Sequence, residues 1–407
     1  MKRRTVFILF TLVAILLTTS GGFAQDDEFV FGMVLVGPRN DHGWSEAHYV
    51  GGQYVEENVP GARMVFFESL NPADAPETTL EQVVEEMLAE GAKVIFTASD
   101  EFEEDTLFVA EKYPDVIFVN VSGDDALSGE APANLSNVMG NMTLGKQIAG
   151  CAAALATETG KIGYLGPLIN FETRRLASSV YLGARYCYEN YRGGNPDDLE
   201  FNVTWIGFWF NIPGVTLDPT EETQRFFDGG ADVVVSGIDT TEALVVAGQR
   251  AANGEKVWAV PYDYENACAE APEICLGVPY FNWGPAYAQI VEMVKNGEYE
   301  QFWNWNPPYY EDLTDNSMTA VGWVNGDGLT EEQVAQLDEF IAMLAETDPG
   351  VLTAENIDEE GLQLGLWVGP LALQDGTVLA EEGPVPPRDV WYLEQLLEGM
   401  IGDSSAQ

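Results

Sequence analysis

Five segments of the chain place an aromatic ring beside groups that donate or accept hydrogen bonds. An aromatic ring offers a flat face to a planar ligand, and neighbouring polar groups can bind the ligand's edge. Four of the segments directly follow predicted strands and the fifth opens a predicted helix, so we expect them to meet at one cleft. The candidate ligand-binding residues are Asp41, Trp44 and Ser45 in the first segment, Ser99 and Phe102 in the second, Trp209 and Phe210 in the third, Asp263 in the fourth, and Asn282 and Trp283 in the fifth.

Motifs of common catalytic sites are absent from the sequence. It contains no G-x-S-x-G nucleophile turn, no phosphate-binding G-x-x-x-x-G-K-[ST] loop and no H-E-x-x-H zinc motif. The two histidines, His42 and His48, are six residues apart, which does not suit two metal ligands on one helix face. Acidic pairs such as Asp124 and Asp125 are expected without purpose among 66 acidic residues. We therefore predict a binding protein without catalytic residues, metal ions or cofactors.

The length and charge of the chain restrict its class and its partners. A chain of 407 residues is long enough for two domains. The 18 basic and 66 acidic residues give a net charge of −48, which excludes nucleic acid as a partner because a polyanion would be repelled. The 46% hydrophobic content is enough for a sizeable core, so wholesale disorder is excluded as well.

Strands and helices alternate from Phe29 onward in two successive blocks. In the first block, the apolar runs 29–36, 63–67, 93–97 and 116–121 are predicted strands, separated by predicted helices at 81–90 and 106–112. The second block runs from a helix at 144–155 to a strand at 257–260. Such alternation predicts an α/β fold of two similar lobes, each a doubly wound parallel sheet flanked by helices.

The N-terminus has the pattern of an export signal. Three basic residues at 2–4 precede an apolar run from Val6 to Leu17 and small residues up to Ala24. We predict a signal peptide over residues 1–24; a retained membrane anchor is the alternative. Because no cysteine lies near the predicted cleavage point, we expect an exported protein, periplasmic or extracellular and associated with the cell surface, that is not a lipoprotein.

The four cysteines suit an oxidising compartment. None of their spacings is the C-x-x-C of a zinc or redox site, so disulfides are favoured over buried free thiols, which are the alternative. Of the three possible connectivities, we favour Cys268–Cys275, around Pro272, together with Cys151–Cys187, between two predicted helices.

Several short motifs together resemble the basic membrane protein (Bmp) family of ABC-transporter substrate-binding proteins, whose best-known members bind purine nucleosides or bases. The resemblance covers residues 30 to about 402. It includes the segment Asn40-Asp41-His42-Gly43-Trp44 after the first strand and the segment Tyr181-Leu182-Gly183-Ala184-Arg185. Further pieces are Val116-Ile117-Phe118, Asp263, Phe281-Asn282-Trp283-Gly284-Pro285, Leu366-Trp367-Val368-Gly369-Pro370-Leu371 and Gln374-Asp375-Gly376.

The resemblance implies the two-lobed periplasmic-binding-protein type I fold, with three crossings between the lobes. It implies a first lobe of residues 28–140 plus about 283–345, a second lobe of 141–282, and a C-terminal extension, 346–407, that packs back on the lobes. It also implies that Trp44 and Trp209 stack on a purine and that Asp263 receives ribose hydroxyls. Nucleoside binders of the family carry a lysine near the final crossing, and its absence here favours a nucleobase.

We therefore expect an extracytoplasmic solute-binding protein that delivers a purine base or nucleoside to an ABC permease. We expect it to be a monomer. Three alternatives remain at this stage: another small ligand on the same fold, such as riboflavin or a sugar; a secreted nucleoside hydrolase; and a surface adhesion protein, which the strong negative charge favours.

Overall fold

The architecture was determined from a computed structural model, which describes residues 28–405. The predicted signal peptide, residues 1–24, lies outside this range. The strands are β1 (Phe29–Leu35), β2 (Ala62–Phe67), β3 (Val94–Ala98), β4 (Ile117–Val121), β5 (Leu135–Gly140), β6 (Lys161–Gly166), β7 (Glu200–Trp205), β8 (Val233–Ser236), β9 (Trp258–Val260), β10 (Gly277–Phe281), β11 (Trp303–Asn306), β12 (Val321–Asn325), β13 (Leu352–Thr353), β14 (Leu371–Ala372) and β15 (Val378–Ala380). The helices are α1 (Trp44–Asn58), α2 (Leu80–Ala89), α3 (Glu103–Lys112), α4 (Asp125–Ser128), α5 (Met142–Ala156), α6 (Phe171–Asn190), α7 (Pro219–Asp228), α8 (Glu242–Ala252), α9 (Gly284–Asn296), α10 (Glu331–Ala345) and α11 (Pro387–Trp391).

The first lobe is built on a sheet with the order β13-β11-β5-β4-β3-β1-β2. Every neighbouring pair is parallel except β11 and β13. Strands β1 and β3 are almost wholly buried, as expected for central strands covered on both faces by helices. Helix α2 begins at a capping box, in which the Thr79 side chain accepts a hydrogen bond from the backbone N–H of Gln82 and the Gln82 side chain accepts one from the backbone N–H of Thr79.

The second lobe is built on a smaller parallel sheet with the order β7-β6-β8-β9. Helices α5 and α6 pack closely because they contain facing glycines: a Cβ on Gly183 would lie 2.0 Å from the carbonyl oxygen of Gln147. The disulfide Cys151–Cys187 joins the same two helices, and Cys268–Cys275 closes a loop after β9. These are the pairings that the sequence favoured.

The connections between the lobes differ from the expected domain boundaries. Strand β11 joins the first sheet beside β5, in keeping with an early part of 283–345 belonging to the first lobe. Strand β12, in contrast, pairs with β10, and α10 packs on α5 of the second lobe. The chain thus returns to the second lobe before it reaches β13, which joins the first sheet again.

The C-terminal residues contact both lobes. The ring of Trp391 in α11 meets Trp303 of β11 edge-on, with 4.7 Å between ring centroids. The backbone of Ile401 hydrogen-bonds to β7 of the second lobe on both sides, donating to Phe201 and accepting from Val203. Sequence reasoning did not find α1, α4, α7, β5, β10, β11 or β12, and it gave no bounds to the elements that follow β12. Within residues 28–405, no helix is both long and apolar enough to cross a bilayer.

Candidate functional site

A cavity lies between the two lobes at the carboxyl ends of the strands. The space between its lining atoms is about 290 Å³ when the part open to solvent is counted, but only about 10 Å³ of it is accessible to the centre of a water-sized sphere. The first lobe contributes Trp44, Ser99, Asp100 and Ser122, and the second contributes Glu172, Trp209, Asp239 and Tyr262. Each lobe thus supplies a tryptophan, a hydrogen-bonding hydroxyl group and at least one carboxyl group, so a ligand in the cavity would contact both lobes.

Trp44 is held against the core of the first lobe. Its indole Nε1 donates a hydrogen bond to the carbonyl oxygen of Ala98, at 2.8 Å. The His48 ring lies edge-on to the indole, with 4.4 Å between centroids, and the rings of Phe281 and Trp283 are also edge-on at 5.3 and 5.5 Å. These contacts fix the ring in one orientation, because an edge-on aromatic neighbour disfavours rotation of a packed side chain.

Asp41 and Ser45 shape the turn that presents Trp44. The Asp41 carboxylate accepts hydrogen bonds from the backbone N–H groups of Gly43, Ser45 and Glu46. Ser45 Oγ accepts one from the N–H of Gly37, at 2.9 Å. The bonds to Asp41 satisfy N–H groups at the start of α1, which have no partner within the helix. Burial raises the pKa of Asp41 to about 6, although the three backbone hydrogen bonds act in the opposite direction.

Direct contacts join the lobes around the cavity. Ser122 Oγ of the first lobe donates to the Glu172 carboxylate of the second. Asn170, which precedes α6, donates to Asp100 at 3.2 Å. The backbone at Gly43 approaches the carbonyl oxygen of Asp239 so closely that a Cβ on Gly43 would lie 1.7 Å from it. The structure is therefore that of the closed form, with the two lobes in contact.

Glu172 is positioned by the C-terminal extension. Its carboxylate is 3.8 Å from the guanidinium of the buried Arg175, one turn later in α6. That guanidinium lies 4.2 Å from the ring centroid of Trp391 and donates to the Trp391 carbonyl oxygen. Removing α11 would therefore expose the cation that balances the Glu172 charge.

The cavity wall is strongly acidic, and its carboxyl groups perturb one another. Burial and the nearby Glu172 carboxylate raise the pKa of Asp100 to about 7. Burial, followed by the charges of Asp263, Asp41 and Glu172, raises the pKa of Asp239 well above its ordinary range. A buried carboxyl group of this kind holds a proton near neutral pH, so it can donate as well as accept a hydrogen bond.

Three of the ten predicted site residues, Trp44, Ser99 and Trp209, line this cavity. The other seven lie elsewhere, and two of these, Asp41 and Ser45, act in the turn described above. Phe102 is buried in the core of the first lobe, and Phe210 packs edge-on against Phe208 beside the cavity. Each was predicted from its place after a strand, which does not determine the direction of a side chain.

The remaining three predicted residues belong to the crossings between the lobes. Asn282 donates hydrogen bonds to the carbonyl oxygens of Asn316 and Thr319. Trp283 stacks on His48 at 4.4 Å, behind Trp44. Asp263 is wholly buried and its backbone bonds to β10 on both sides. Burial raises the pKa of its carboxyl group well above the ordinary range, although the nearby Lys146 ammonium acts to lower it. In this closed form Asp263 is not among the residues that line the cavity.

Sequence reasoning missed five lining residues: Asp100, Ser122, Glu172, Asp239 and Tyr262. Four of them, all except Glu172, lie one to three residues beyond the end of a strand. They could have been found by listing every polar side chain after each strand instead of requiring an aromatic neighbour. Glu172 could not be found in this way, since it lies inside α6. Among residues 28–405, no group of histidine, cysteine and acidic side chains is arranged to hold a metal ion.

Comparisons with known proteins agree with this architecture. The family model for PnrA-like ABC-transporter substrate-binding proteins, Bmp, matches residues 29–306. A purine-binding protein of Brucella abortus is 26% identical over 89% of this chain and 90% of its own length, and the putative ABC transporter glucose-binding protein TsgA13 of Haloferax volcanii is 26% identical over 77% and 76%.

Solved structures show the same fold at low identity. A solute-binding protein of an ABC transporter from Conexibacter woesei has a TM-score of 0.56 at 18% identity, over 78% of this chain and 96% of its own. One from Aeropyrum pernix has a TM-score of 0.59 at 16% identity, over 76% and 85%. The two lobes, the cavity between them and the match over 29–306 lead to one conclusion: the chain belongs to the Bmp family of PnrA-like ABC-transporter substrate-binding proteins.

Proposed function

We propose that this substrate-binding protein captures a purine base or nucleoside outside the cytoplasm and delivers it to an ABC permease. The observation that carries the proposal is the pair of tryptophans, Trp44 and Trp209, which reach the same cavity from opposite lobes. Every nucleobase has a flat face that can stack on an aromatic side chain, and each stacked aromatic ring contributes about 1–3 kcal/mol to the binding free energy. The similarity to the Brucella purine-binding protein supports the same ligand class.

In this mechanism the ligand stabilises the closed form because it binds both lobes at once. Ser99 and Asp100 from one lobe and Asp239 from the other provide hydrogen bonds to the edge of a heterocycle. A ligand shifts the equilibrium between open and closed forms only by its difference in affinity for them, and groups split between two lobes supply that difference. The closed form is then the one that the permease recognises. No chemical step on the ligand is involved.

A base is favoured over a nucleoside. Among residues 28–405, no lysine, arginine or histidine lines the cavity, and at the final crossing Asn282 and Trp283 bind other parts of the protein. The nearest buried lysine, Lys146, donates to the carbonyl oxygen of Ser236 and lies against the ring of Tyr262, on the far side of the wall. The cation that nucleoside binders of the family use near this crossing therefore has no counterpart at the wall.

A glucose-like sugar is the second candidate. Three carboxyl side chains, on Asp100, Glu172 and Asp239, reach the cavity. Carboxylates accept hydrogen bonds from sugar hydroxyls, while an indole face packs against the apolar face of a pyranose. The similarity to the putative glucose-binding protein of Haloferax supports this candidate.

A thermal-shift screen of the chain without residues 1–24 distinguishes these ligands. The panel contains adenine, guanine, hypoxanthine, their nucleosides, riboflavin and glucose. A ligand at 100 times its dissociation constant stabilises the folded state by about 2.7 kcal/mol. We expect the bases to raise the midpoint most. A shift with glucose alone would replace the purine proposal by the second candidate, and a shift with nucleosides alone would contradict the preference for a base. Release of free base from nucleosides would contradict a purely binding role.

A further inference from the structure

Asp239 lies between the two turns that carry Trp44 and Trp209. Its backbone N–H donates a hydrogen bond to the carbonyl oxygen of Trp209, at 3.0 Å. Its own carbonyl oxygen lies against Gly43, the residue before Trp44. The Asp239 side chain lines the cavity that both tryptophans reach. A ring held between the two tryptophans would therefore have the Asp239 carboxyl group at its edge.

The Asp239 carboxyl group differs from the other two acidic groups of the wall because it has no partner. Asp100 accepts a hydrogen bond from Asn170, and Glu172 accepts one from Ser122. Asp239 is only 5% exposed and lines the cavity, yet its carboxyl group has no hydrogen-bond partner within residues 28–405. A buried polar group without a partner is costly, so its partner is to be sought in the ligand.

The surroundings of Asp239 favour the protonated form of its carboxyl group. Burial is the main cause, because it penalises the charged form, and it raises the pKa of Asp239 well above its ordinary range. The titratable groups that act on it, from the elements of both lobes, are Asp263, Asp41 and Glu172, and all are acidic. An ionised carboxylate can only accept hydrogen bonds, whereas a protonated carboxyl group has an O–H to donate. Asp239 therefore presents a hydrogen-bond donor to the cavity.

We propose that Asp239 determines ligand specificity by donating a hydrogen bond from its carboxyl group to an acceptor on the ligand's edge, either an unprotonated ring nitrogen or a carbonyl oxygen. This inference rests on the proposed binding of a purine-like ring between Trp44 and Trp209. It narrows the ligand class to neutral heterocycles that carry an acceptor where they face Asp239. An analogue with C–H in the place of that acceptor is rejected, because the buried O–H then has no partner.

Isothermal titration calorimetry at pH 6 tests the inference with ligands that lose one acceptor at a time. The probes are adenine and hypoxanthine, their 1-deaza, 3-deaza, 7-deaza and 9-deaza analogues, in which C–H replaces one ring nitrogen, and unsubstituted purine, which lacks the group at position 6. The corresponding nucleosides form a second set. In whichever set binds, we expect one analogue to bind at least about fivefold more weakly than its parent, as the loss of the partner of a buried donor requires.

Two variants then test whether Asp239 is the donor. Asp239→Ala has no donor and should bind the parent and that analogue with equal affinity. Asp239→Asn should still prefer the parent, because its amide N–H can donate in the place of the O–H. Asp115→Ala, on the exposed surface of the first lobe, should keep the wild-type preference.

Three results would overturn this inference and leave the proposed function intact. They are equal binding of all the analogues by the wild type, an Asp239→Ala variant that still prefers the parent, and an Asp239→Asn variant that loses the preference. Failure of every purine base and nucleoside to bind the wild type would overturn both proposals.

Discussion

Replacing Gly43 by alanine should weaken ligand binding without unfolding either lobe. Gly43 lies in the turn before α1, where its backbone meets the carbonyl oxygen of Asp239 in the opposite lobe. A Cβ added there would lie 1.7 Å from that oxygen, and contacts of this kind are essentially never shorter than 3.0 Å. The lobes must therefore separate locally by at least about 1.3 Å before an alanine can be accommodated. Because the obstacle is a backbone atom, side-chain rotation cannot relieve the clash.

The size of the effect follows from the cost of overpacking a tight contact, which is about 1–3 kcal/mol. This cost falls on the closed form alone. If the ligand binds only that form, its apparent affinity falls with the population of the form, about tenfold for each 1.4 kcal/mol. We therefore expect the dissociation constant to rise by about five- to 150-fold.

The assay is calorimetric titration with whichever base or nucleoside gives the largest thermal shift. The thermal midpoint of the ligand-free variant should stay near that of the wild type, because opening the lobes relieves the clash. Gly229→Ala is the matched control: Gly229 is exposed at the end of α7, has a right-handed backbone, and its nearest atom to a new Cβ is 3.2 Å away. An unchanged dissociation constant for Gly43→Ala would refute the argument that binding requires this contact between lobes.

Three further predictions concern stacking, disulfides and pH. Trp209→Ala should raise the dissociation constant of a purine by about five- to 150-fold, the equivalent of 1–3 kcal/mol for one stacked ring, in the same titration; an unchanged constant would contradict the stacking. A disulfide stabilises a protein by reducing the entropy of the unfolded chain, and the effect grows with the length of the loop that it closes. Removing Cys151–Cys187, which spans 36 residues, should therefore lower the free energy of unfolding in urea by about 4 kcal/mol, and removing Cys268–Cys275, which spans seven, by about 2 kcal/mol. Equal losses would contradict this dependence on loop length. The pKa of Asp100 is raised from its ordinary value of 3.8 to about 7 in the folded state, so the folded protein binds this proton more tightly than the unfolded chain does. The stabilisation by protonated Asp100 is therefore complete below pH 3.8 and is lost as the pH rises through 7. Asp100→Asn should therefore reduce the fall in stability between pH 4 and 8 by about 4 kcal/mol, and urea titrations with equal pH slopes for variant and wild type would contradict this.

The sequence predicted the elements that have a strong apolar pattern. Helix α8 was placed at 242–252, as observed, and β1 was placed within one residue of its end. Helix α1 was missed because it has few apolar residues at helical spacing; its Gly51 and Gly52 pack under Trp283 and Met64 instead. Strand β11 was missed because Trp303-Asn304-Trp305-Asn306 is short and alternates two residue types without a strand-like run of β-branched side chains.

The site was predicted less completely, for a geometrical reason. Proximity to a strand end predicts that a residue is close to the cleft, but the local backbone decides whether its side chain faces inward. Asn282 and Trp283 illustrate this, because the chain crosses between the lobes there and both side chains face away from the cavity. Asn282 donates to the backbone just before β12, and Trp283 stacks on His48 behind Trp44. Glu172 reaches the cavity from a helix whose N-terminus points at the cleft, and no strand pattern indicates that direction.

The misassigned residues still affect binding, because they connect the cavity to the crossings. Phe281 lies on β10, which joins the lobes, and its ring is 5.3 Å from that of Trp44. Trp283 follows on the same segment and stacks on His48, which is itself packed on Trp44. A ligand that stacks on Trp44 would therefore contact a ring that packs against His48, Phe281 and Trp283, the last two of which belong to the crossing. Since aromatic packing is sensitive to small displacements, the orientation of Trp44 and the angle between the lobes are expected to change together. This arrangement explains why Phe281, Trp283 and His48 cluster at a crossing although none of these three lines the cavity.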